Sequence, residues 1–307
     1  MLDKIARLRY NYTNTKKDGN KMNRKSIIFF LLFALLCPLF AACDGGTPAE
    51  TTSPAPDTTA EITEVATTEE ITTAAPETTE EEVKMKLRIG SYNIKHAADA
   101  GLNLKTIAKV ITDANLDIVG IQEVDLRTKR SNGIDQPRML SEYAEMPYYV
   151  FVRGIDYQGG QYGTLILSKY PIISSEVIPL ESWDKEGRAL GHAVIDVNGF
   201  QFDFFNTHLS YEDTTLRKEQ FFEVSEKTDA CKNFILTGDF NTADFTEFTI
   251  LGANLINKVG RWYPTFPGGN SAIDNIVYTD AFKEIASGTV TKSFSDHYML
   301  WAEFEIN

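Results

Sequence analysis

Ile235-Leu236-Thr237-Gly238-Asp239-Phe240-Asn241 carries three apolar or β-branched residues into a glycine, followed by an acid and an amide two apart. A short apolar run bounded by glycine predicts a buried strand reaching its end. Functional side chains gather where the strands of a packed sheet give way to loops. Asp239 and Asn241 offer a carboxylate and an amide, groups that position a water or hold a hard cation such as Mg²⁺. Gly, Asp and Asn are also the default turn residues, so taken alone the stretch reads first as a turn. What the rest of the chain brings to meet it decides between the two.

Working outward, Leu216–Thr228 predicts a helix ahead of this strand, and Asn198-Gly199 between Ala189–Val197 and Phe200–Asn206 is a two-residue hairpin signal. Leu87–Ile94 alternates like a strand. Leu102–Ala114 places Leu104, Ile107, Ala108 and Ile111 on one helical face, and Asp117–Gln122 is a buried-type strand ending at Glu123. Together these predict a β-α-β unit. Met139–Met146 reads as a short helix, and Tyr149–Arg153, Gly163–Ser168 and Ile172–Ile178 read as strands. Ile273–Tyr278, Ser287–Val290 and Tyr298–Ile306 supply the last strands. Hairpins and crossovers both occur, which predicts a mixed α/β layered domain over residues 85–307 and not a doubly wound parallel sheet.

The first 84 residues have a different texture. Lys21–Lys25 is basic and Ile27–Ala42 almost wholly apolar, too short for a membrane span but in the order of a signal peptide over residues 22–42. It ends in Phe40-Ala41-Ala42-Cys43, which resembles a bacterial lipobox with Cys43 as the lipidated residue; Phe40 stands where Leu, Val or Ile is usual. Residues 1–21 read as an artefact of start-site choice, Met22 being the better start. Residues 44–83 hold 12 threonines, 11 acids and no basic residue. Such a segment has little to bury and is expected to be a disordered tether over residues 43–84. As a coil of about 40 residues it would reach roughly 35 Å. The expectation is a monomeric lipoprotein anchored at the cell surface, facing away from the cytoplasm.

The chain carries a net charge of −13 and three cysteines, Cys37, Cys43 and Cys231. An acidic chain is poorly suited to holding duplex DNA through many phosphate contacts. No disulfide framework follows from these cysteines, and Cys231 reads as a lone small side chain.

Polar groups of matching chemistry recur at the predicted strand ends: Asn93, Glu123, Asn206-Thr207-His208, Asp239 with Asn241, Asp274, and Ser295-Asp296-His297. Each has a plain explanation alone. In order, Ser91-Tyr92-Asn93-Ile94, Gln122-Glu123-Val124, Tyr162-Gly163 with Leu167–Ile172, Asn206–Leu209, Gly238–Asn241, Ile273-Asp274 and Ser295–His297 resemble the motifs of the endonuclease/exonuclease/phosphatase superfamily of deoxyribonuclease I-like metal-dependent phosphoesterases. The resemblance spans Lys86 to Ile306. It implies a four-layered α/β sandwich of two mixed β-sheets with helices on the outer faces, and a site at one end.

Position by position, the resemblance implies that Glu123, Asn93 and Asp296 serve Mg²⁺, with Mn²⁺ as a substitute. It implies His297 beside the scissile phosphate, held by Asp274, and Asp239 on the attacking water. Asn241, His208 and Tyr162 are implied as donors to phosphoryl oxygens, with either Asp239 or His297 as the base. These residue types suit the chemistry, because attack on a phosphate ester builds charge on oxygens that cations and fixed donors stabilise. Thr164 stands where many relatives carry a residue that orients the next histidine, so what holds His208 is open. Asn275 replaces a common aromatic residue. Arg188, before a strand, is a candidate for substrate binding. His96 and the loop Thr128–Gln136 are similar to a subgroup of small bacterial members and are expected to shape the substrate mouth. His192 reads as structural.

The function this supports is a surface-anchored, Mg²⁺-dependent hydrolase of phosphate esters, acting as a phosphodiesterase or phosphatase. An extracellular nuclease on DNA or RNA is the alternative, and a non-catalytic ligand-binding lipoprotein is the alternative from another class. Retention of Glu123, Asp239 and His297 argues against the last. The lack of a long apolar hairpin argues against a lipid-inserting sphingomyelinase.

Overall fold

A computed structural model describes residues 85–306 of the chain. The expected signal peptide, lipidated Cys43 and tether lie outside these residues. Among the described residues no helix is long and apolar enough to cross a membrane.

Strand β1 (Lys86–Asn93) runs parallel to β2 (Ile118–Leu126), and α1 (Leu104–Asp113) makes the crossover between them. Asn103 caps α1 by accepting from the Thr106 amide. The same unit recurs later. β7 (Phe200–His208) runs parallel to β8 (Phe234–Asp239), and α3 (Thr214–Thr228) crosses over with Asp213 as its cap. Around β1 and β2 the chain adds α2 (Gln136–Tyr143), the hairpin β3 (Tyr148–Tyr157) and β4 (Gly160–Ser168), and the last strands β11 (Phe282–Val290) and β12 (Met299–Ile306). The sheet order is β11-β12-β1-β2-β4-β3. The second sheet holds β5 (Ile172–Leu180), β6 (Arg188–Val197), β7, β8, β10 (Asp274–Tyr278) and the two-residue β9 (Asn254–Leu255), in the order β5-β6-β7-β8-β10-β9.

Three apolar interfaces separate four layers. Leu87, Ile89, Ile118 and Ile166 of one sheet meet Ile195, Phe204, Ile235 and Ile276 of the other. Val119, Ile121 and Leu165 face outward against Ile107 and Ile111 of α1 and Leu140 of α2. Phe205 and Leu236 face outward against Phe221 and Val224 of α3. Adjacent residues such as Ile235 and Leu236 take opposite faces, as the pleat requires. The predicted four-layered α/β sandwich is the fold observed.

A polar staple crosses the sandwich. Buried Asn206 donates its amide to the Ile121 and Leu165 carbonyls at 3.1 and 3.0 Å, and its carbonyl accepts from Gln122 Nε2 at 2.7 Å and Thr237 Oγ1 at 3.1 Å. Gly120 makes room for it, since a Cβ there would sit 2.0 Å from Thr237 Oγ1. Asn206 and Gln122 therefore lock the register of the two sheets, and register decides which side chains reach the end of the sandwich.

The predicted boundaries hold to within a few residues except along β2, the β3–β4 hairpin and β11, which begins at Phe282, five residues before its expected start at Ser287. Glu123 was expected to end its strand. Instead β2 continues to Leu126 through a register shift between Ile121 and Val124, where Glu123 sits at φ 57°. A bulge turns one residue out of the pleat without ending the strand, a device common beside active sites. β3 runs on to Tyr157, four residues past its expected end at Arg153.

Candidate active site

The ends of β1, β7 and β8, the start of β10 and the loop before β12 converge at one end of the sandwich. There Glu123, Tyr162, Arg188, His208, Asp239, Asn241, Asp296 and His297 line one cavity of about 420 Å³. Asn93 and Asp274 are fully buried behind its wall.

Asp239 is the hub. Its Oδ2 accepts from Asn93 Nδ2 at 3.0 Å and its Oδ1 from the Asn241 backbone amide at 3.0 Å. His208 Nε2 and His297 Nε2 lie 3.6 and 3.7 Å from Oδ2. Burial first, and the Asp274 carboxylate second, push the Asp239 carboxyl above its ordinary range.

The two histidines are held differently. His297 Nδ1 lies 2.8 Å from Asp274 Oδ2. Burial opposes a charge on the ring, but Asp274 and Asp239 outweigh it and push His297 up to about 10. It is therefore an imidazolium at neutral pH, donating to Asp274. His208 Nδ1 lies 2.9 Å from Arg188 Nη1. A guanidinium only donates, so Nδ1 is the acceptor and the ring proton sits on Nε2. Burial first, then the charges of Arg188 and His297, hold His208 well below its ordinary value. It is a neutral N–H donor. Arg188 thus does what Thr164 was left open to do; the Thr164 hydroxyl is buried with no partner. Arg188 Nη1 also lies 2.8 Å from Glu186 Oε1, and its buried Nε has no partner among the described residues.

On the other side of the hub, Glu123 Oε1 accepts from Asn93 Nδ2 at 3.1 Å. Burial, above all, raises the Glu123 carboxyl, with Asp296 adding to it, while the bond from Asn93 and the charge of His297 pull the other way. Asp296 is half-exposed, with Lys95 Nζ 3.1 Å from Oδ2. Glu123 and Asp296 are hard oxygen donors on the cavity wall, the donor type that Mg²⁺ and Mn²⁺ take. A partly buried carboxylate that resists ionisation without a nearby cation fits such an ion. Asn93 turns its nitrogen, not its oxygen, toward Glu123, and its Oδ1 accepts from the Lys95 amide at 3.0 Å. In this geometry Asn93 bridges the two carboxylates. Ligand atoms of Asp239, Asp274 and His297 also lie within 4.8 Å of one another. A charged imidazolium already fills that group, which makes the Glu123–Asp296 side the better place for a cation.

Asn241, at φ 53°, commits one amide hydrogen to the Leu209 carbonyl at 2.9 Å and keeps the other. Tyr162 lines the cavity, and burial above all raises its hydroxyl well above the ordinary value.

The loop Thr128–Gln136, expected to shape the substrate mouth, reaches the cavity through Arg130. Arg130 makes a two-pronged bond to buried Asp125 at 2.8 Å on each arm and stacks over Tyr157 and Tyr162 at 4.7 and 5.0 Å. Burial works against the Asp125 charge, but bonds from Arg130, Ser131 and Thr128 outweigh it and hold the carboxyl low. Tyr157, Tyr211 and Phe266 add aromatic walls; nothing local marks them out. His96 does not line this cavity, but its carbonyl accepts from Gln136 Nε2 at 2.8 Å and so ties its loop to the Arg130 loop. Asn275 pins residue 257 by paired bonds, accepting from the Asn257 amide at 2.9 Å and donating to its carbonyl at 2.8 Å.

Residues 90–297 match the model of the Endonuclease/Exonuclease/phosphatase family. No curated protein sequence matches significantly. Among solved structures, an endonuclease/exonuclease/phosphatase from Beutenbergia cavernae superposes with a TM-score of 0.63 at 22% identity, covering 73% of this chain and 72% of that one. The Bacteroides thetaiotaomicron mannosyl-6-phosphatase Bt3783 gives 0.57 at 22% identity over 71% and 99%. Sphingomyelinase C from Streptomyces griseocarneus gives 0.52 at 18% identity over 71% and 99%. At these identities the structural likeness speaks for the fold.

Proposed function

The chain belongs to the endonuclease/exonuclease/phosphatase family of metal-dependent phosphate-ester hydrolases, and from that premise we propose that it is a surface-anchored, Mg²⁺-dependent hydrolase of small phosphate esters. The observation that carries this reading is the hub: one buried carboxylate, Asp239, between a cationic and a neutral histidine, on the wall of a cavity of about 420 Å³. That volume lies in the small-molecule range of roughly 300–1,000 Å³. The lining joins the cations Arg130 and Arg188 to Tyr157, Tyr211 and Phe266, a composition suited to a phosphate carried on a ring. A phosphatase acting on a mannosyl 6-phosphate shares the fold. The acidic balance of the chain weighs against a long polyanion as substrate.

Glu123 and Asp296 would hold the cation, which when bound supplies charge neutralisation at the phosphoryl oxygens. Asp239 takes the proton of the attacking water; a carboxyl raised by burial is a stronger base than an exposed one. With His297 already protonated, Asp239 and not His297 is the base. The His297 imidazolium and the His208 Nε2–H face the oxygens where charge grows, and the free Asn241 amide hydrogen adds a third donor. At 3.6 and 3.7 Å from Asp239 Oδ2, both histidine Nε2 atoms stand just beyond direct hydrogen-bond distance of the hub and beside the place where an oxygen bound to it would sit. Asn93, Asp274 and Arg188 position these groups.

The test is turnover by the full chain on sugar phosphates, p-nitrophenyl phosphate, bis-p-nitrophenyl phosphate, plasmid DNA and sphingomyelin, with Mg²⁺ or EDTA. The expected result is Mg²⁺-dependent release of inorganic phosphate from the small monoesters, abolished by EDTA and restored by Mg²⁺ or Mn²⁺. Preferential cleavage of plasmid DNA or sphingomyelin would overturn the small-ester reading. Absence of metal-dependent turnover on all of them would overturn the assignment of this chain's own site. Labelling of Cys43 by a palmitate analogue in a producing bacterium, lost in Cys43→Ser, tests the anchor.

A further inference from the structure

His192 in β6, Asp203 in β7 and Cys231 in the segment after α3 meet on the outer side of the second sheet. Asp203 and the active-site His208 lie five positions apart on β7, which separates them by roughly 17 Å along the strand. His192 Nε2 lies 2.7 Å from Asp203 Oδ1. Ligand atoms of His192, Asp203 and Cys231 all fall within 4.8 Å of one another, and all three residues are half-buried. An ion can reach them from solvent, and a partly desolvated setting strengthens its hold.

We propose that His192, Asp203 and Cys231 form a second metal site, for a borderline-soft divalent cation of the zinc type. Thiolate, imidazole and carboxylate together are a Zn²⁺ donor set, whereas a thiolate disfavours Mg²⁺. A tetrahedral ion with Zn–N, Zn–O and Zn–S bonds of about 2.0–2.3 Å spaces its donors roughly 3.3–3.6 Å apart. The cluster needs only a small side-chain adjustment to match: His192 and Asp203 part slightly, and Cys231 swings in from the Lys227 carbonyl, to which its Sγ donates at 3.6 Å. The Phe205 ring stacks on His192 at 4.4 Å between centroids and fixes the imidazole plane. Glu176 stands directly opposite His192 on β5, so it shares the sheet face and supplies a candidate fourth ligand.

Without an ion, burial first and the Asp203 carboxylate second push the Cys231 thiol up to about 12. The sulfur is then a thiol beside an acid and a histidine. Binding exchanges that thiol proton, released to solvent, for the cation, with no change of oxidation state. The ion would tie the turn after α3 to β6 and β7. Because this site uses sulfur and the Glu123–Asp296 side uses only hard oxygens, the two ends of β7 select different ions.

Cobalt distinguishes them, because only thiolate ligation gives a near-ultraviolet sulfur-to-cobalt charge-transfer band. The full chain carrying Cys37→Ser and Cys43→Ser, so that Cys231 is the remaining thiol, is titrated with Co²⁺ in excess Mg²⁺. The expected result is a charge-transfer band saturating at one equivalent and bleached by Zn²⁺. Cys231→Ser removes the band, His192→Ala weakens Co²⁺ binding at least about tenfold, and Glu123→Gln leaves the band in place. Both His192→Ala and Cys231→Ser keep Mg²⁺-dependent turnover, which certifies that they fold. No band at saturating Co²⁺, a band that persists in Cys231→Ser, or unchanged affinity in His192→Ala would overturn the site.

Discussion

His208 and His297 stand at nearly equal distances from one oxygen of Asp239, 3.6 and 3.7 Å, and both are buried. They differ in what lies behind them. Behind His297 is a carboxylate, Asp274, and the ring is driven to carry charge. Behind His208 is a guanidinium, Arg188, and the ring is driven to stay neutral with its proton on Nε2. Two identical side chains thus become a cation and a neutral donor without any difference in their own chemistry. The lesson is that the residue behind a catalytic histidine decides its job.

The comparison breaks most violently if the hub goes. Asp239→Ala removes the group that the two histidines share and, as the proposed base, should lower kcat by about 10³–10⁴, read in steady-state turnover with Mg²⁺. Removing the acid behind His297 comes next. Asp274→Ala strands a buried charge and should cost about 3–5 kcal/mol of stability, read by denaturant unfolding at neutral pH. The same variant should lower kcat by about 10²–10³, since His297 loses the group that orients its ring.

The sign of the pH effect follows. His297 binds its proton more tightly folded than unfolded. Its contribution is therefore fully present below the unfolded value of about 6.5 and lost as pH rises through the folded value of about 10. Stability should fall between those limits, and Asp274→Asn should flatten that fall. His208 has the opposite sign. Its proton is bound more weakly folded than unfolded, so its contribution is lost as pH drops below about 6.5.

The smallest effect lies behind His208. Arg188→Met deletes the buried hydrogen bond to His208 and the ion pair with Glu186, worth roughly 1.5–3 kcal/mol, and should slow turnover about tenfold. It should also raise His208 toward its ordinary value without reaching it, because burial, the larger cause, remains. An imidazole NMR titration of the variant would show that shift; an unchanged His208 would deny Arg188 its role.

Much of this was legible in the sequence. The parallel unit around α1 follows from buried-type strands on either side of a helix of 3.6-residue period, and the ordered motifs brought Asn93, Glu123, Tyr162, His208, Asp239, Asn241, Asp274, Asp296 and His297 to one end; that the helix α3 also joins two parallel strands was not read. What failed was what period and motif do not encode. The bulge at Glu123 keeps β2 running where a polar residue suggested an end. The loop of Arg130 was expected at the substrate mouth, but the grip of Asp125 that brings its side chain there was not legible. Arg188 was read as a candidate for substrate binding and does line the cavity, but its seat behind His208 depends on which strands the fold makes neighbours. His192 and Cys231 each read as an isolated structural residue, because β6 and the turn after α3 lie far apart in the chain and meet only in the folded sheet.

The opposed histidines are tested most directly by the imidazole ¹⁵N spectrum of the metal-free full chain at pH 8, with each ring assigned by substitution. The account predicts His297 protonated on both nitrogens and His208 neutral with its proton on Nε2. A neutral His297 at that pH, or a His208 carrying its proton on Nδ1, would contradict it.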